Sequence, residues 1–372
     1  MSCTSLRPSR TIRGALRGHQ RVGFTLVELL VVMAILGVLA GLLAWGVNSA
    51  RVAILKRAQA AELANIATAV EAYRTKYGDY PPDGSSWPVM EAHLRKAFPN
   101  IVVTELALLN PANSAANGGI RNDNAPSPHP FGGRVFDPAE ALVFFLGGFS
   151  SDPQRPITGP GGPLKANPVG GGYMYNNQRE NAFFEFKTGR LTLNDTGTAS
   201  TDEALYGQGI TNDCMPVYIG SGPSIQQGGV PMVYFDSRTY QFSGYYNFYV
   251  PGAVASSPNC ARPFLSTEVN TSVSPSPLLY SNAKTYQIMN AGYDNLYGCM
   301  APKDISANNP LILFTTPKGN AVSVNTNNGL FYPPPPTSIS PIPYYLSSFG
   351  RFRPVDDNSS NFIDGPTFGE SQ

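Results

Sequence analysis

The side chains that could do chemistry are few and scattered. Three histidines stand at His19, His93 and His129, and four cysteines at Cys3, Cys214, Cys260 and Cys299. No HExxH, no close histidine pair and no CxxC occurs, so the spacings that build a zinc site are missing. His93 falls in a charged helical stretch and His129 in a proline-rich one, and both read as solvated imidazoles. No G-x-S-x-G elbow accompanies them, which leaves a serine-histidine-acid triad without support. The glycine runs from Gly159 to Gly162 and from Gly170 to Gly172 lack the Gly-Lys-Ser/Thr of a phosphate loop and read as turns. Cys214, Cys260 and Cys299 allow one internal disulfide with a thiol left over, or buried thiols without a bond. Oxygen-bearing residues crowd the C-terminus at Asp356, Asp357, Asn358, Asn361, Asp364 and Glu370. Asp356, Asp357 and Asp364 could ligate calcium there, although the spacing is not that of an EF-hand. No catalytic residue emerges, and the expectation is a protein that is not an enzyme.

One acid stands apart from these. Glu28 and Thr25 are the polar members of an otherwise apolar run from Phe24 to Val47, FTLVELLVVMAILGVLAGLLAWGV. As a helix this run spans roughly 36 Å at about 1.5 Å per residue, enough to cross a bilayer. A carboxylate inside such a span is costly and marks a functional site that needs a partner. The run supplies no Lys or Arg, so the partner must come from another chain or from a new positive charge made nearby. An ordinary signal peptide has an apolar region of about 7–15 residues and no acid within it. The length and Glu28 set that reading aside, despite a weak cleavage-like site at Val47-Asn48-Ser49.

Charge gives the span its direction. Arg7, Arg10, Arg13, Arg17 and Arg21 precede it without a single acid, which keeps the N-terminus cytoplasmic and exports the remainder. The whole chain is nearly neutral, with 26 basic and 25 acidic side chains, but beyond residue 23 it carries 21 basic against 25 acidic. Charged residues make up 14%, Gly 37 and Pro 34 of 372 residues, against 42% hydrophobic. Coiled-coil, collagen-like and highly charged disordered classes are excluded, and so is a uniformly basic nucleic-acid binder.

These residues must be positioned by elements that the pattern predicts in outline. From Arg51 to Tyr77 the chain is rich in helix formers, and Leu63, Ile66, Val70, Tyr73 and Tyr77 form one apolar stripe with Glu62, Glu71, Arg74 and Lys76 largely off it. Gly78 with Pro81 and Pro82 stops that helix. Pro88 to Phe98 reads as a short helix, residues 100–135 as an extended loop, and Asp137-Pro138-Ala139-Glu140 as a capping box opening a helix that Gly147 ends. Ser150 to Gly172 reads as loop. Phe183–Phe186 and Leu191–Leu193 predict a hairpin about Lys187–Arg190, and Met232–Phe235 and Thr239–Phe242 a second about Asp236–Arg238. Tyr245 to Val250 and Leu311 to Thr315 read as further strands, and Pro333 to Pro336 as a stiff connector. The sum is an α+β protein: a long N-terminal helix, half transmembrane and half amphipathic, packed on a loop-rich antiparallel β-sheet head.

The basic leader followed by Gly23, Phe24, Thr25, Leu26, Val27, Glu28 and an apolar helix resembles the signature of type IV prepilins and type II secretion pseudopilins. The segment Tyr73-Arg74-Thr75-Lys76-Tyr77-Gly78-Asp79-Tyr80-Pro81 is similar to the helix end of the major pseudopilins. Trp45 stands where such helices commonly carry a proline. The resemblance covers residues 23–81 and implies a division into a leader over 1–23, an assembly helix over 24–47, its amphipathic continuation over 48–80 and a head over 81–372. It implies cleavage after Gly23 by a prepilin peptidase, N-methylation of Phe24, and a role for Glu28 in attracting the amine of a neighbouring subunit. It further implies an inner-membrane protein with a periplasmic or extracellular head, assembled with other pilin or pseudopilin subunits on an inner-membrane platform, without nucleic acid. Calcium binding by major pseudopilins adds to the reading of the C-terminal acids. The head is large for a major pseudopilin, which favours a minor or specialised subunit, and the retained Glu28 argues against the tip subunit. The competing reading is a tethered extracytoplasmic binding protein or enzyme, carbohydrate-directed through its aromatic residues, that uses a prepilin-type export signal.

Overall fold

The computed structural model describes residues 25–111, 137–168, 172–193, 214–242, 245–246, 249, 260–269, 278–292, 295–297, 311–315, 320–324 and 359–361. The chain divides between Val52 and Ala53 into two units. The helix α1 (Leu26–Tyr77, 52 residues) contributes to both. In the first unit it is an apolar rod whose window Leu26–Leu43 has a mean hydropathy of 2.7 and no buried residue.

In the second unit the helix is amphipathic, and its stripe does what the spacing predicts. Leu63, Ile66, Val70 and Tyr73 are buried and Tyr77 is half-buried. Glu62, expected off the stripe, is buried as well. It is satisfied there because the Tyr218 hydroxyl donates to Oε1 at 2.6 Å and the Ser221 amide donates to Oε2. Gly78, at φ +76°, ends the helix, and its carbonyl accepts from Lys96 Nζ at 2.9 Å.

Three shorter helices follow. α2 (Trp87–Ala97) matches the predicted helix, with Pro88 in its first turn and Met90, His93 and Leu94 on its buried face. α3 (Val103–Leu108) lies where a loop was expected, because Glu105 earns its buried place by accepting from the Ile157 and Thr158 amides at 2.8 and 3.0 Å. α4 (Glu140–Leu146) is buried along its whole length. Its capping box forms as the sequence predicts: Asp137 Oδ1 accepts from the amides of Ala139 and Glu140 at 2.8 and 3.0 Å, and Glu140 Oε2 accepts from the Asp137 amide at 2.7 Å. At its other end the Arg179 guanidinium donates to the carbonyls of Val143, Phe144 and Gly148. Gly148 sits at φ +97°, and a Cβ there would strike the Glu180 carbonyl, so no other residue fits.

The sheets are small and several, where the sequence suggested one. β1 (Leu164–Ala166) pairs antiparallel with β2 (Tyr173–Tyr175), a hairpin partly inside the expected Ser150–Gly172 loop. β3 (Val233–Asp236) is the predicted strand, but its partner is not the next segment. β4 (Gln241–Phe242) instead pairs with β5 (Tyr245–Tyr246). β6 (Leu265–Val269), β7 (Leu278–Tyr280) and β8 (Tyr286–Asn290) follow, then β9 (Leu311–Thr315), β10 (Asn320–Val324) and β11 (Ser359–Ser360). β8 lies between β3 and β11, and the other larger sheet runs β10-β9-β6-β7. Pairing is antiparallel except for β6 with β9, which is parallel. Tyr249 bridges Ala261 beyond β5.

The hairpin predicted over 183–193 does not form. Phe183 and Phe184 donate their amides to the Leu146 carbonyl, Thr188–Arg190 is a turn of 3-10 helix, and Leu191 bridges Tyr218. Phe183 is used instead in an aromatic cluster with Tyr73 and Tyr77, centroids 5.1 and 5.8 Å away. Phe145 on α4, Phe149 beyond its end and Phe98 at the C-cap of α2 extend the cluster. Such ring pairs add about 0.5–1.5 kcal/mol each beyond the area they bury. The Pro333–Pro336 connector lies outside the described residues.

Candidate assembly site on the N-terminal helix

α1 opens on a reciprocal cap. Thr25 precedes the first helical residue, and its Oγ1 accepts from the Glu28 amide at 3.2 Å. Glu28 Oε2 in turn accepts from the Thr25 amide and hydroxyl, both at 2.9 Å. The pattern is T-x-x-E, and it arises because a residue at the third helical position faces back over the cap. First-turn amides lack intrahelical acceptors, and in hydrocarbon nothing else would satisfy them. The carboxylate also lies at the positive end of the helix dipole.

The sequence assigned Glu28's partner to another chain or a new charge, yet Thr25 within this chain already occupies one of its oxygens. The signal was present in the spacing. What Thr25 provides is hydrogen bonds, not charge, and the first cation after Glu28 along the chain is Arg51. Around the carboxylate the surface is apolar and open: Leu26, Val27, Leu29, Leu30 and Met33 are each more than half exposed. This face therefore offers a continuous apolar seam with one fixed carboxylate at its end. Gly23 and Phe24, the expected cleavage and methylation positions, lie outside the described residues.

The other candidates separate from this site. His93 is buried, against the expectation of a solvated imidazole, and its Nε2 lies 2.7 Å from the Tyr73 hydroxyl. Burial, aided by Arg238, pushes its pKa down to about 3, so the ring is neutral and structural at ordinary pH. His129 lies outside the described residues. So do Asp356, Asp357 and Asp364, and among the described residues no group of three or more His, Cys, Asp or Glu converges to hold a metal. Cys214 and Cys260 are buried thiols.

No curated protein and no solved structure matches the chain. Residues 23–44 match the family model of the prokaryotic N-terminal methylation motif. That stretch contains the capped helix start, Glu28 and the exposed apolar seam. The chain therefore carries the prepilin-type signal found in type IV pilins and pseudopilins, a signal that implies processing by prepilin peptidase.

Proposed function

We propose that this chain is a structural subunit and not an enzyme. It is inserted in the inner membrane with its N-terminus cytoplasmic, trimmed after Gly23, methylated at Phe24, and polymerised through α1 into a type II secretion pseudopilus or a type IV pilus-like filament. The observation that supports this most strongly is the wholly exposed apolar helix from Leu26 to Leu43 with one carboxylate in its first turn. Apolar helices in lipid gain little from mere contact, because lipid tails are equally apolar. A buried pairing of Glu28 with the new amine of a neighbour supplies the missing preference, since opposite charges attract far more strongly at low dielectric. Correct register is the one in which each amine meets a carboxylate.

The test has two parts. Mass spectrometry of the mature N-terminus should find N-methyl-Phe24, whereas an end at Ala50 would mean ordinary signal-peptidase cleavage and sink the reading. Glu28→Ala should leave cleavage intact and abolish incorporation into filaments. Normal assembly of that variant would refute a register-setting role for Glu28, and a wild-type chain that is cleaved but enters no filament would favour a tethered, non-assembling protein.

A further inference from the structure

Arg51 is the first cation after Glu28, and from residue 29 to residue 61 the chain carries no Asp or Glu. Arg51 follows the apolar run that ends at Val47 by four positions and Arg57 follows it by ten, on a helix that continues unbroken to Tyr77. Both side chains are exposed. The next acid along α1 is Glu62, which is buried and already accepts from Tyr218 and Ser221. Lys56 is half-buried and has an interaction of its own, so it is set aside. What remains is a pair of guanidinium groups on a stretch of helix without a compensating acid.

Their distance from the apolar run suits a bilayer surface. At about 1.5 Å per residue, Arg51 stands about 6 Å beyond Val47 along the helix and Arg57 about 15 Å. The headgroup layer is about 5–7 Å thick on each face of a bilayer, so Arg51 falls within it when the apolar run fills the hydrocarbon. Side chains of a helix lean toward its N-terminus, here the side of the bilayer, and this carries the Arg57 guanidinium back toward the same layer. The group also stays within about one Debye length of it, about 8–10 Å at ordinary salt. A guanidinium fork matches the oxygens of a phosphate and binds them with two parallel hydrogen bonds. Processing makes these two residues matter more. Arg7, Arg10, Arg13, Arg17 and Arg21 all leave with the leader, and residues 24–50 contain no Lys or Arg. After trimming, the side-chain cations that flank the span stand on its exported side alone.

We infer that Arg51 and Arg57 form a docking surface for anionic phospholipid headgroups on the exported face of the membrane, one that holds the trimmed chain in the bilayer once the leader has gone. Such a surface presupposes the insertion and trimming proposed above. Each cation near a negatively charged leaflet adds about fivefold to affinity, so two add about twenty-five-fold, and less as salt rises. A subunit that leaves the bilayer must give up these phosphates, which sets a threshold for extraction that cleavage of the leader does not remove.

Fluorescence of Trp45, two positions before Val47, tests this on the full chain after cleavage by prepilin peptidase. The chain is reconstituted in vesicles of phosphatidylcholine and phosphatidylglycerol in which one lipid or the other is brominated. A Trp45→Phe chain supplies the background from Trp87, the other tryptophan. Trp45 is about 30 Å from Phe24 along the helix, beyond the reach of contact quenching, so lipid gathered at the new amine does not contribute. Brominated phosphatidylglycerol should quench Trp45 several-fold more than its share of the lipid predicts, and raised salt should reduce the excess. Arg51→Gln combined with Arg57→Gln should bring the two lipids to parity, while Lys165→Gln on β1 should change nothing. Equal quenching by both lipids in the wild-type chain would overturn the inference. So would an excess that the double variant retains, and if that variant also fails to enter filaments, the two residues contact other subunits and not lipid. Quenching by neither lipid would overturn the insertion itself.

Discussion

At the scale of single residues, the chemistry of the N-terminus rests on how one carboxylate is held. Glu28 does not swing freely, because Thr25 fixes it from both its amide and its hydroxyl. Thr25→Val keeps the shape and removes the hydroxyl, so the carboxylate loses one donor and the Glu28 amide its acceptor. We expect this variant to be exported and cleaved, with filament yield falling several-fold, and Thr25→Ser to restore it. Quantifying assembled against membrane-retained subunit by immunoblotting checks this; equal yields in all three would show that the cap does not position Glu28. The T-x-x-E spacing was legible in the sequence, as was the capping box at Asp137. His93 was legible in part: Met90, His93 and Leu94 share a helical face, and that periodicity placed the imidazole inward more reliably than its charged neighbours placed it outward.

At the scale of elements, the sequence located segments better than it located their partners. Helices α2 and α4 and the strands β3 and β9 stand where local signals put them, because capping, proline and apolar spacing act within a few residues. Strand pairing is not local. β3 joins β8 across some fifty intervening positions, and the clustered aromatics of 183–186 serve a packed coil as well as they would serve a strand. The buried Glu62 was missed for the same reason, since its partners Tyr218 and Ser221 lie far along the chain. Glu62→Ala leaves a buried phenol and an amide unpaired, and should destabilise the second unit by about 1–3 kcal/mol in urea unfolding. Glu62→Gln, which can still accept one of the two bonds, should cost less. Gly148→Ala forces a side chain into a left-handed backbone and against the Glu180 carbonyl, and should cost at least as much as Glu62→Ala.

At the scale of the whole molecule, two buried groups give stability opposite pH slopes. His93 titrates near 3 when folded and near 6.5 when unfolded, so the unfolded chain binds the extra proton and stability is lost as pH falls below 6.5. Asp236 titrates near 7 when folded and near 3.8 when unfolded, so the folded chain binds the extra proton and stability is lost as pH rises toward 7. From about pH 4 to 6.5 their contributions cancel. Asp236→Asn removes one of them, and its unfolding free energy relative to wild type should rise by about 1.4 kcal/mol per pH unit across that window. Parallel urea titrations at several pH values measure the difference directly, and a pH-independent difference would show that Asp236 titrates normally.

The same molecule has a mechanical consequence. Within the second unit polar contacts tie α1 down near either end, at Glu62 and at the Asp79–Asp83 exit, about 25 Å apart along the helix at about 1.5 Å per residue, with the Ala67 carbonyl and the Tyr73 hydroxyl bonded between them to Tyr286 and His93. The apolar stripe lies between them. A pull directed along the helix loads both ties and the stripe together, in shear, and none can yield alone. A pull across it at one end would peel them in turn. The second unit therefore holds α1 most firmly against a pull along the helix's own axis.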